Sequence, residues 1–342
     1  MITIDGSHGE GGGQLVRMSC ALSALTGRPV RLNNVRARRA PPGLAPQHLA
    51  AVQAVAQLCN AETEGLALRT REFTFHPGPI RGGDYRFDVG TAGSITLVLQ
   101  AVLPVALAAP AASCLHIIGG TDVKAAPPFD YFRYVFLPLL QRLGLDIRAT
   151  LVRRGYYPRG GGEVEVRVQP GRPAPLALDT PGALQELAGI AHVANLPAHI
   201  VERMQHTATR ILSEHGNARI QTQLLGHAEA IGAGGAIVLW ARMADTLLGG
   251  SEVAQRGRPA ERIAEHAAYA LREELRAGAT LDLHAADQLL IYLALAGKSA
   301  HFTARTYSSH AQTTAWLIEQ FLPVRVTAGP AVAGQRIAVT PC

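Results

Sequence analysis

The sequence predicts a mixed protein of the α/β or α+β class, in which short strands alternate with helices and a differently composed stretch interrupts the later half. Three observations carry that expectation. Runs with two-residue alternation, such as Tyr85 to Val89 and Glu163 to Val168, are interleaved with helical stretches such as Gln47 to Leu58 and Tyr131 to Leu143. Glycine clusters recur at related places: Gly11-Gly12-Gly13 after the first strand, Gly82-Gly83 before a strand, Gly119-Gly120 after one, and Gly160-Gly161-Gly162 before another. Such recurrence points to a repeated sheet-and-helix unit, although glycine turns between strands and helices also arise without duplication. From about Pro181 to Ala277 the character changes, with helical segments Ile200 to Glu214 and Pro259 to Arg276 around a strand-like run Ala236 to Ala241. A separate inserted domain is expected there, with the residues after Thr280 returning to the main body.

Length and composition agree. A chain of 342 residues, 48% hydrophobic, exceeds the usual size of one domain and suits one large domain with a smaller companion. Lys+Arg number 32 against 26 Asp+Glu, for a formal charge of +6, and Lys124 and Lys298 are the only lysines. Nearly all positive charge is therefore guanidinium, which binds phosphate bidentately. That balance admits a nucleic-acid partner, but an arginine-rich composition explains it equally well. Cys20, Cys59, Cys114 and Cys342 stand far apart and form no CxxC pair, which argues against a zinc site or a disulfide framework and fits a reducing cytoplasm. The start, Met1 to Asp5, lacks the basic and apolar regions of a signal peptide. The apolar run Ile95 to Ala109 contains Gln100 and Pro104 and is shorter than the roughly 20 residues that span a bilayer. It reads as a buried helix, so no membrane partner is expected.

Several motifs carry possible chemistry. Gly9-Glu10-Gly11-Gly12-Gly13-Gln14 follows a short strand and opens the helical run Leu15 to Leu25, an arrangement in which free N–H groups at a helix start can cradle a phosphate. Glu10 offers a hard oxygen to a divalent cation. A plain strand-to-helix turn would look the same, and Gln14 stands where the dinucleotide fingerprint requires glycine. Arg17 lies one turn into that helix. Arg36, Arg38 and Arg39 follow in a strand-like stretch, where Arg36 and Arg38 would share one face and Arg39 the other. Gly297-Lys298-Ser299 is no P-loop, because Tyr292 occupies the position of its first glycine.

Neither lysine lies in a lysine-x-aspartate-glycine setting, so nucleotidyl transfer would need another nucleophile. His310 closes the polar stretch Thr306 to Ser309 just before a helical run from Gln312 to Phe321. An imidazole near its ordinary pKa can attack phosphorus at neutral pH, while a surface histidine near a helix start explains the same position. Asp287-Gln288 precedes the apolar run Leu289 to Ala296; helix capping accounts for Asp287 but not for both residues.

Together these segments resemble the RNA 3′-terminal phosphate cyclase family over nearly the whole chain. The similar segments include Asp5-Gly6 through Gln14 with Arg17, Arg36 to Leu44 with Gln47-His48-Leu49, and Arg81 to Tyr85. They continue through Gly93 to Pro104, Gly119 to Asp122, Tyr157-Pro158 with Gly160 to Gly162, Ala286 to Leu289, and His310 with Phe321 to Val324. The resemblance implies a large domain of three repeated units, each a four-stranded sheet with two helices, over residues 1–181 and 278–342. A small α+β insert would occupy 182–277. It implies a cytoplasmic ligase that uses ATP and a divalent metal, Mg or Mn, on RNA bearing a 3′-terminal phosphate. His310 would take AMP, the AMP would pass to the RNA 3′-phosphate, and the neighbouring 2′-hydroxyl would close a 2′,3′-cyclic phosphate. Glu10 would hold the metal; Arg17, Arg36, Arg39 and Gln47 would contact phosphates or the RNA end. Gln14, Gln100, Asp287 and Gln288 would serve the nucleotide or its phosphates, with Pro127 against the adenine. His284 stands where members commonly carry tyrosine, which alters stacking on the base. Related possibilities are a non-catalytic RNA-binding relative working in ribosome assembly and an enolpyruvyl transferase. The sequence carries no signal for oligomeric state.

Overall fold

Helix α1 (Gly13–Thr26) is buried at ten consecutive positions from Leu15 to Ala24, so it can lie only where other elements enclose it on every side. It ends at Gly27, which supplies the left-handed C-cap. The computed structural model describes residues Met1–Cys342 and places this helix inside the first of three similarly wound units. In chain order that unit is β1 (Ile2–Asp5), α1, β2 (Val30–Asn33), α2 (Pro46–Leu58), β3 (Glu62–Glu64) and β4 (Phe73–His76). Its sheet has the order β1-β2-β4-β3, with β1 and β2 parallel and the other pairs antiparallel.

The second unit repeats this winding with β5 (Gly83–Asp88), α3 (Ile95–Leu107), β6 (Ser113–Gly119), α4 (Phe129–Tyr131), α5 (Leu137–Arg142), β7 (Ile147–Gly155) and β8 (Gly162–Val168). Its order, β5-β6-β8-β7, has the same pattern of one parallel and two antiparallel pairs. Helix α3 is capped by Ser94, whose hydroxyl accepts from the Leu97 N–H, and is the apolar run expected to be buried. No helix of the chain is long and apolar enough to cross a membrane. The single helix expected from Tyr131 to Leu143 is instead interrupted by a π-turn at Phe132–Phe136. Pro138 has no N–H to return to the turn before it, and the chain widens there, the Leu137 N–H donating to Phe132 O five residues back.

Next come β9 (Leu184–Ala194), α6 (Ala198–Leu212), β10 (Arg219–Leu225), β11 (Ala230–Ile231), β12 (Gly234–Met243), β13 (Leu247–Val253) and α7 (Ala260–Ala277). Four of these strands form a sheet ordered β10-β9-β12-β13, and α6 and α7 cover it around a core of 20 buried residues between Leu187 and Leu271. The short β11 instead extends the central sheet beside β7. Its neighbourhood holds a buried ionic cluster: Arg154 donates to Asp130 Oδ2 (2.6 Å) and Asp122 Oδ2 (3.3 Å), and His192 of β9 lies 3.4 and 3.6 Å from the same two carboxylates. Burial and Arg154 disfavour a charged imidazole, but the carboxylates outweigh them and hold His192 above its ordinary pKa. The two carboxylates thus meet the Arg154 guanidinium and a histidine biased toward its charged form, which offsets their loss of water.

The chain then completes a third unit with α8 (Leu283–Leu295), β14 (Ala300–Ala304), α9 (Ser309–Phe321), β15 (Val324–Ala331) and β16 (Gly334–Pro341). Its sheet is ordered β14-β16-β15, and its first strand is reduced to a parallel bridge between Ala177 and His301. The fold is α+β, with the repeat legible in the winding rather than in residue identity. A core of 71 buried residues runs through all three units.

Asp282 joins three parts of the molecule. Its Oδ1 accepts from the Tyr131 hydroxyl (2.6 Å) and from the N–H groups of His284 and Ala285 at the start of α8 (3.0 Å each), and Oδ2 accepts from Gly249 N on β13 (2.8 Å). Asp282→Ala removes the helix cap and leaves a buried hydroxyl and a buried amide without partners. A loss of roughly 2–4 kcal/mol in denaturant unfolding is expected; a loss below about 1 kcal/mol would show that water replaces the carboxylate.

Candidate active site

A cavity of about 540 Å³ opens where α1, α2, α3, α8 and α9 meet, and of the candidate residues named from the sequence all but Arg38 line it. Glu10, Gln14, Arg17, Arg36, Arg39 and Gln47 come from the first unit, Gln100 and Pro127 from the second, and His284, Asp287, Gln288 and His310 from the third.

His310 lies in the first turn of α9 rather than before it, because Ser308 is the N-cap and accepts from Ala311 N at 2.9 Å. Its ring is half exposed and held at both nitrogens: Nδ1 is 2.7 Å from Gln14 Oε1, and Nε2 is 3.1 Å from Glu10 Oε2. Gln14 is oriented in turn by Thr314, its Nε2 donating to Oγ1 at 2.6 Å. The amide nitrogen also donates to His310 O at 3.4 Å, so the amide oxygen faces the ring and offers an acceptor to Nδ1. Glu10 also accepts from the Ser309 hydroxyl and lies 3.5 Å from Arg39. Thr314 and Ser309 escaped notice in the sequence; the available signal was helical spacing, since Thr314 lies one turn beyond His310.

The positively charged side is built on the start of α1. Gly12 at its N-cap has no side chain to bond the first helical N–H groups, which stay available to a ligand. Gly13 must be glycine: a Cβ there would lie 1.9 Å from His48 Nε2. Arg17 is 5% exposed, yet no carboxylate faces it. One guanidinium nitrogen donates to Gln100 Oε1 at 3.1 Å, and Nε has no partner. Burial lowers its pKa to about 10, so it remains a cation at neutral pH.

Arg36 and Arg39 reach the same cavity by a route the sequence did not suggest. Asn34 to Ala40 form successive turns, with Ala37 N donating to Asn34 O and Arg39 N to Arg36 O, and Arg36 has φ 50°. Strand alternation therefore does not apply, and the three-residue turn spacing brings Arg36 and Arg39 to one side. Arg38 turns away to Gly9 O at 3.4 Å. His48, beside Gln47 in α2, was quoted with its motif but given no role. It lies buried on the cavity floor, where burial, Arg17 and Arg36 hold its pKa down at about 3. It is a neutral group between two cations.

The opposite wall comes from α8. Asp282, not Asp287, caps this helix, so Asp287 and Gln288 sit inside it and face the cavity; the capping explanation of Asp287 is replaced. The Ser308 hydroxyl donates to Asp287 Oδ1 at 2.5 Å. His284 lies at the mouth, edge-on to Tyr131 with ring centres 5.7 Å apart. Pro127 is fixed through its carbonyl, which accepts from Thr96 Oγ1 at 2.8 Å.

The site thus combines a positioned imidazole, a carboxylate, unpaired guanidinium groups and free helix amides, the parts required to bind and transfer phosphoryl groups. Residues 8–328 match the model of the RNA 3′-terminal phosphate cyclase family. The RNA 3′-terminal phosphate cyclase of Nitrosospira multiformis is 55% identical over 95% of this chain and 92% of its own. Proteins of the same name from Methylococcus capsulatus (45% identical, 95% and 92% covered) and Pyrobaculum neutrophilum (44%, 95% and 94%) are also similar. A solved EPSP synthase from Acinetobacter baumannii aligns with 94% of this chain and 79% of its own at 13% identity, but its TM-score of 0.29 carries no argument.

Asp287 makes the wall sensitive to pH. Burial pushes its carboxyl up from 3.8 to about 7, against the Ser308 hydrogen bond that favours the anion. The folded protein then holds a proton that the unfolded chain releases near 3.8, so this residue's contribution to stability is complete below that pH and is lost as pH rises through about 7. Melting curves of Asp287→Asn should lack this part of the decline between pH 4 and 8; a variant whose stability falls as steeply as the parent's would show that Asp287 ionises freely.

Proposed function

The chain belongs to the RNA 3′-terminal phosphate cyclase family, and on that premise we propose that it converts an RNA 3′-terminal phosphate to a 2′,3′-cyclic phosphodiester at the expense of ATP. His310, held between Gln14 and Glu10 at the mouth of an arginine-walled cavity, is the observation that carries this reading.

In the first step Nε2 of His310 attacks the α-phosphorus of ATP. A phosphorus–nitrogen bond forms, the α–β bridge breaks, and pyrophosphate leaves. The proton held on Nδ1 by Gln14 keeps the lone pair on Nε2, once Glu10 has turned from the ring. Glu10 suits a Mg or Mn ion that takes one protein carboxylate and completes its shell with nucleotide phosphates and water, where it would neutralise phosphate charge. Arg17, Arg36 and the α1 amides face the developing negative charge. His48, uncharged between the two arginines, lets them stand close without adding a third repulsive charge.

In the second step an oxygen of the RNA 3′-phosphate attacks the same phosphorus. The phosphorus–nitrogen bond breaks, the imidazole is restored, and RNA(3′)pp(5′)A forms. In the third the neighbouring 2′-hydroxyl attacks the 3′-phosphorus, gives up its proton, and expels AMP. Both reacting groups belong to one nucleotide, so the site needs only to hold them in line. On this reading Asp287, Gln288, Pro127 and His284 surround the nucleotide, and residues 182–277 form an insert outside the reacting centre. The enzyme is then an ATP-dependent ligase of a phosphoric ester.

Incubation with α-labelled ATP and a divalent metal should leave protein-bound label that is lost in acid, survives base and is absent in His310→Ala. Label retained by that variant, or cyclisation at the parental rate, refutes the assignment; no label from any nucleotide favours a non-catalytic RNA-binding relative. Gln14→Ala should slow adenylylation by roughly 10–100-fold with little change in the KM for ATP, because it releases the ring without touching the nucleotide. A large rise in KM alone would move Gln14 from ring positioning to nucleotide binding.

A further inference from the structure

The outer face of the central sheet brings together a second set of chemically able side chains. On β6, Leu115 and Ile117 point into the core, which leaves Cys114 and His116 side by side on the other face. Strand β8 runs antiparallel beside it in a register that sets Glu165 opposite His116 and Arg167 opposite Cys114. On the other flank, β5 sets Asp84 opposite Cys114. The His116 ring lies between thiol and carboxylate: Nε2 is 3.5 Å from Cys114 Sγ, and Nδ1 is 3.9 Å from Glu165 Oε2. One ligand atom from each of the three residues lies within 4.8 Å of the others.

We infer that Cys114, His116 and Glu165 form a zinc site that ties β6 to β8, with the fourth position open to water or to Asp84. Zinc bonds of about 2.0–2.3 Å in a tetrahedron place ligand atoms about 3.3–3.8 Å apart, and the thiol–imidazole distance already falls in that range. The carboxylate faces Nδ1 rather than the nitrogen beside the thiol, so ring and carboxylate must turn toward one another to share a metal; all three side chains are partly exposed. Thiolate, imidazole and carboxylate together favour zinc over magnesium or calcium. Arg167 assists this arrangement. It donates from Nε to Glu165 Oε1 at 2.7 Å, which leaves Oε2, the oxygen facing His116, to a metal and fixes the carboxylate as an outer partner would.

A reactive thiol activated by His116 is the rival use of the same three residues. Asp84 and Glu165 bring carboxylates to Cys114 from the strands on either side, with Arg167 opposing their charge. Such surroundings suppress a free thiolate nucleophile but attract a cation, whose binding would expel the thiol proton. The absence of a CxxC pair does not bear on this site, because its ligands are matched by strand register rather than by spacing along the chain.

The test is titration of the full-length, chelator-stripped protein with Co²⁺ alone, followed by Zn²⁺. The expected result is one equivalent of Co²⁺ with a thiolate-to-cobalt charge-transfer band and intense tetrahedral ligand-field bands, both erased by Zn²⁺. Cys114→Ser should abolish the charge-transfer band, Glu165→Gln should weaken affinity on the order of 10-fold or more, and Cys342→Ser should change neither. An oxygen-ligated metal at Glu10 gives no thiolate band, so the two sites remain distinguishable. No charge-transfer band in the unmodified protein overturns the inference without reference to any variant's folding. A band that persists in Cys114→Ser overturns it as well.

Discussion

A helix buried on nearly every side must be enclosed, and the first helix of each wound unit is such a helix. Helices α1, α3 and α8 present too little polar surface to face water, so they fill the centre and leave the sheets outside. Each sheet can then be half solvated, which is why its strands alternate. Packing the helices together also draws the starts of α1 and α9 to one place, although 296 residues separate Gln14 from His310. The cavity is a consequence of that convergence, as is the burial of Arg17, which rides one turn inside α1.

The charges around the cavity follow from the same geometry. A guanidinium at 5% exposure without a carboxylate is costly unless an anion arrives from outside, and the uncapped amides of α1 face the same space. Keeping His48 neutral limits repulsion between Arg17 and Arg36. On the opposite wall the low polarity that raises Asp287 makes its carboxyl able to hold a proton near neutrality. One side of the site therefore carries uncompensated positive charge and the other a carboxyl that can stay neutral. Asp282 links the second wall to Tyr131 and to Gly249, so the segment between β9 and α7 bears mechanically on the helix that carries Asp287 and Gln288.

The sequence by itself determined what depends on neighbours a few residues away. Helical periodicity marked α2, α6 and α7 within a residue or two and α9 from three residues past its start, alternation marked β5 and β8, and the glycine clusters hinted at the repeat. Its motifs, read through a family resemblance, also named many of the residues that line the cavity, though not His48 or Thr314. Where the reading departed from the structure, longer-range packing intervened. The stretch holding Arg36, Arg38 and Arg39 is a series of turns, a π-turn widens the helix expected from Tyr131 to Leu143, and Asp282 rather than Asp287 caps α8.

Only the tertiary structure decided which of these residues meet. No local signal distinguished His310 from a surface histidine, because what sets it apart is Gln14 on one nitrogen and Glu10 on the other, both from the opposite end of the chain. Cys114, His116 and Glu165 were likewise scattered letters until the β6–β8 register set them side by side. Periodicity and capping are written in short-range sterics and hydrogen bonds, and so survive in the linear sequence. The partners of a side chain, its exposure and its pKa arise when distant segments exclude water together, and no stretch of chain carries that information alone.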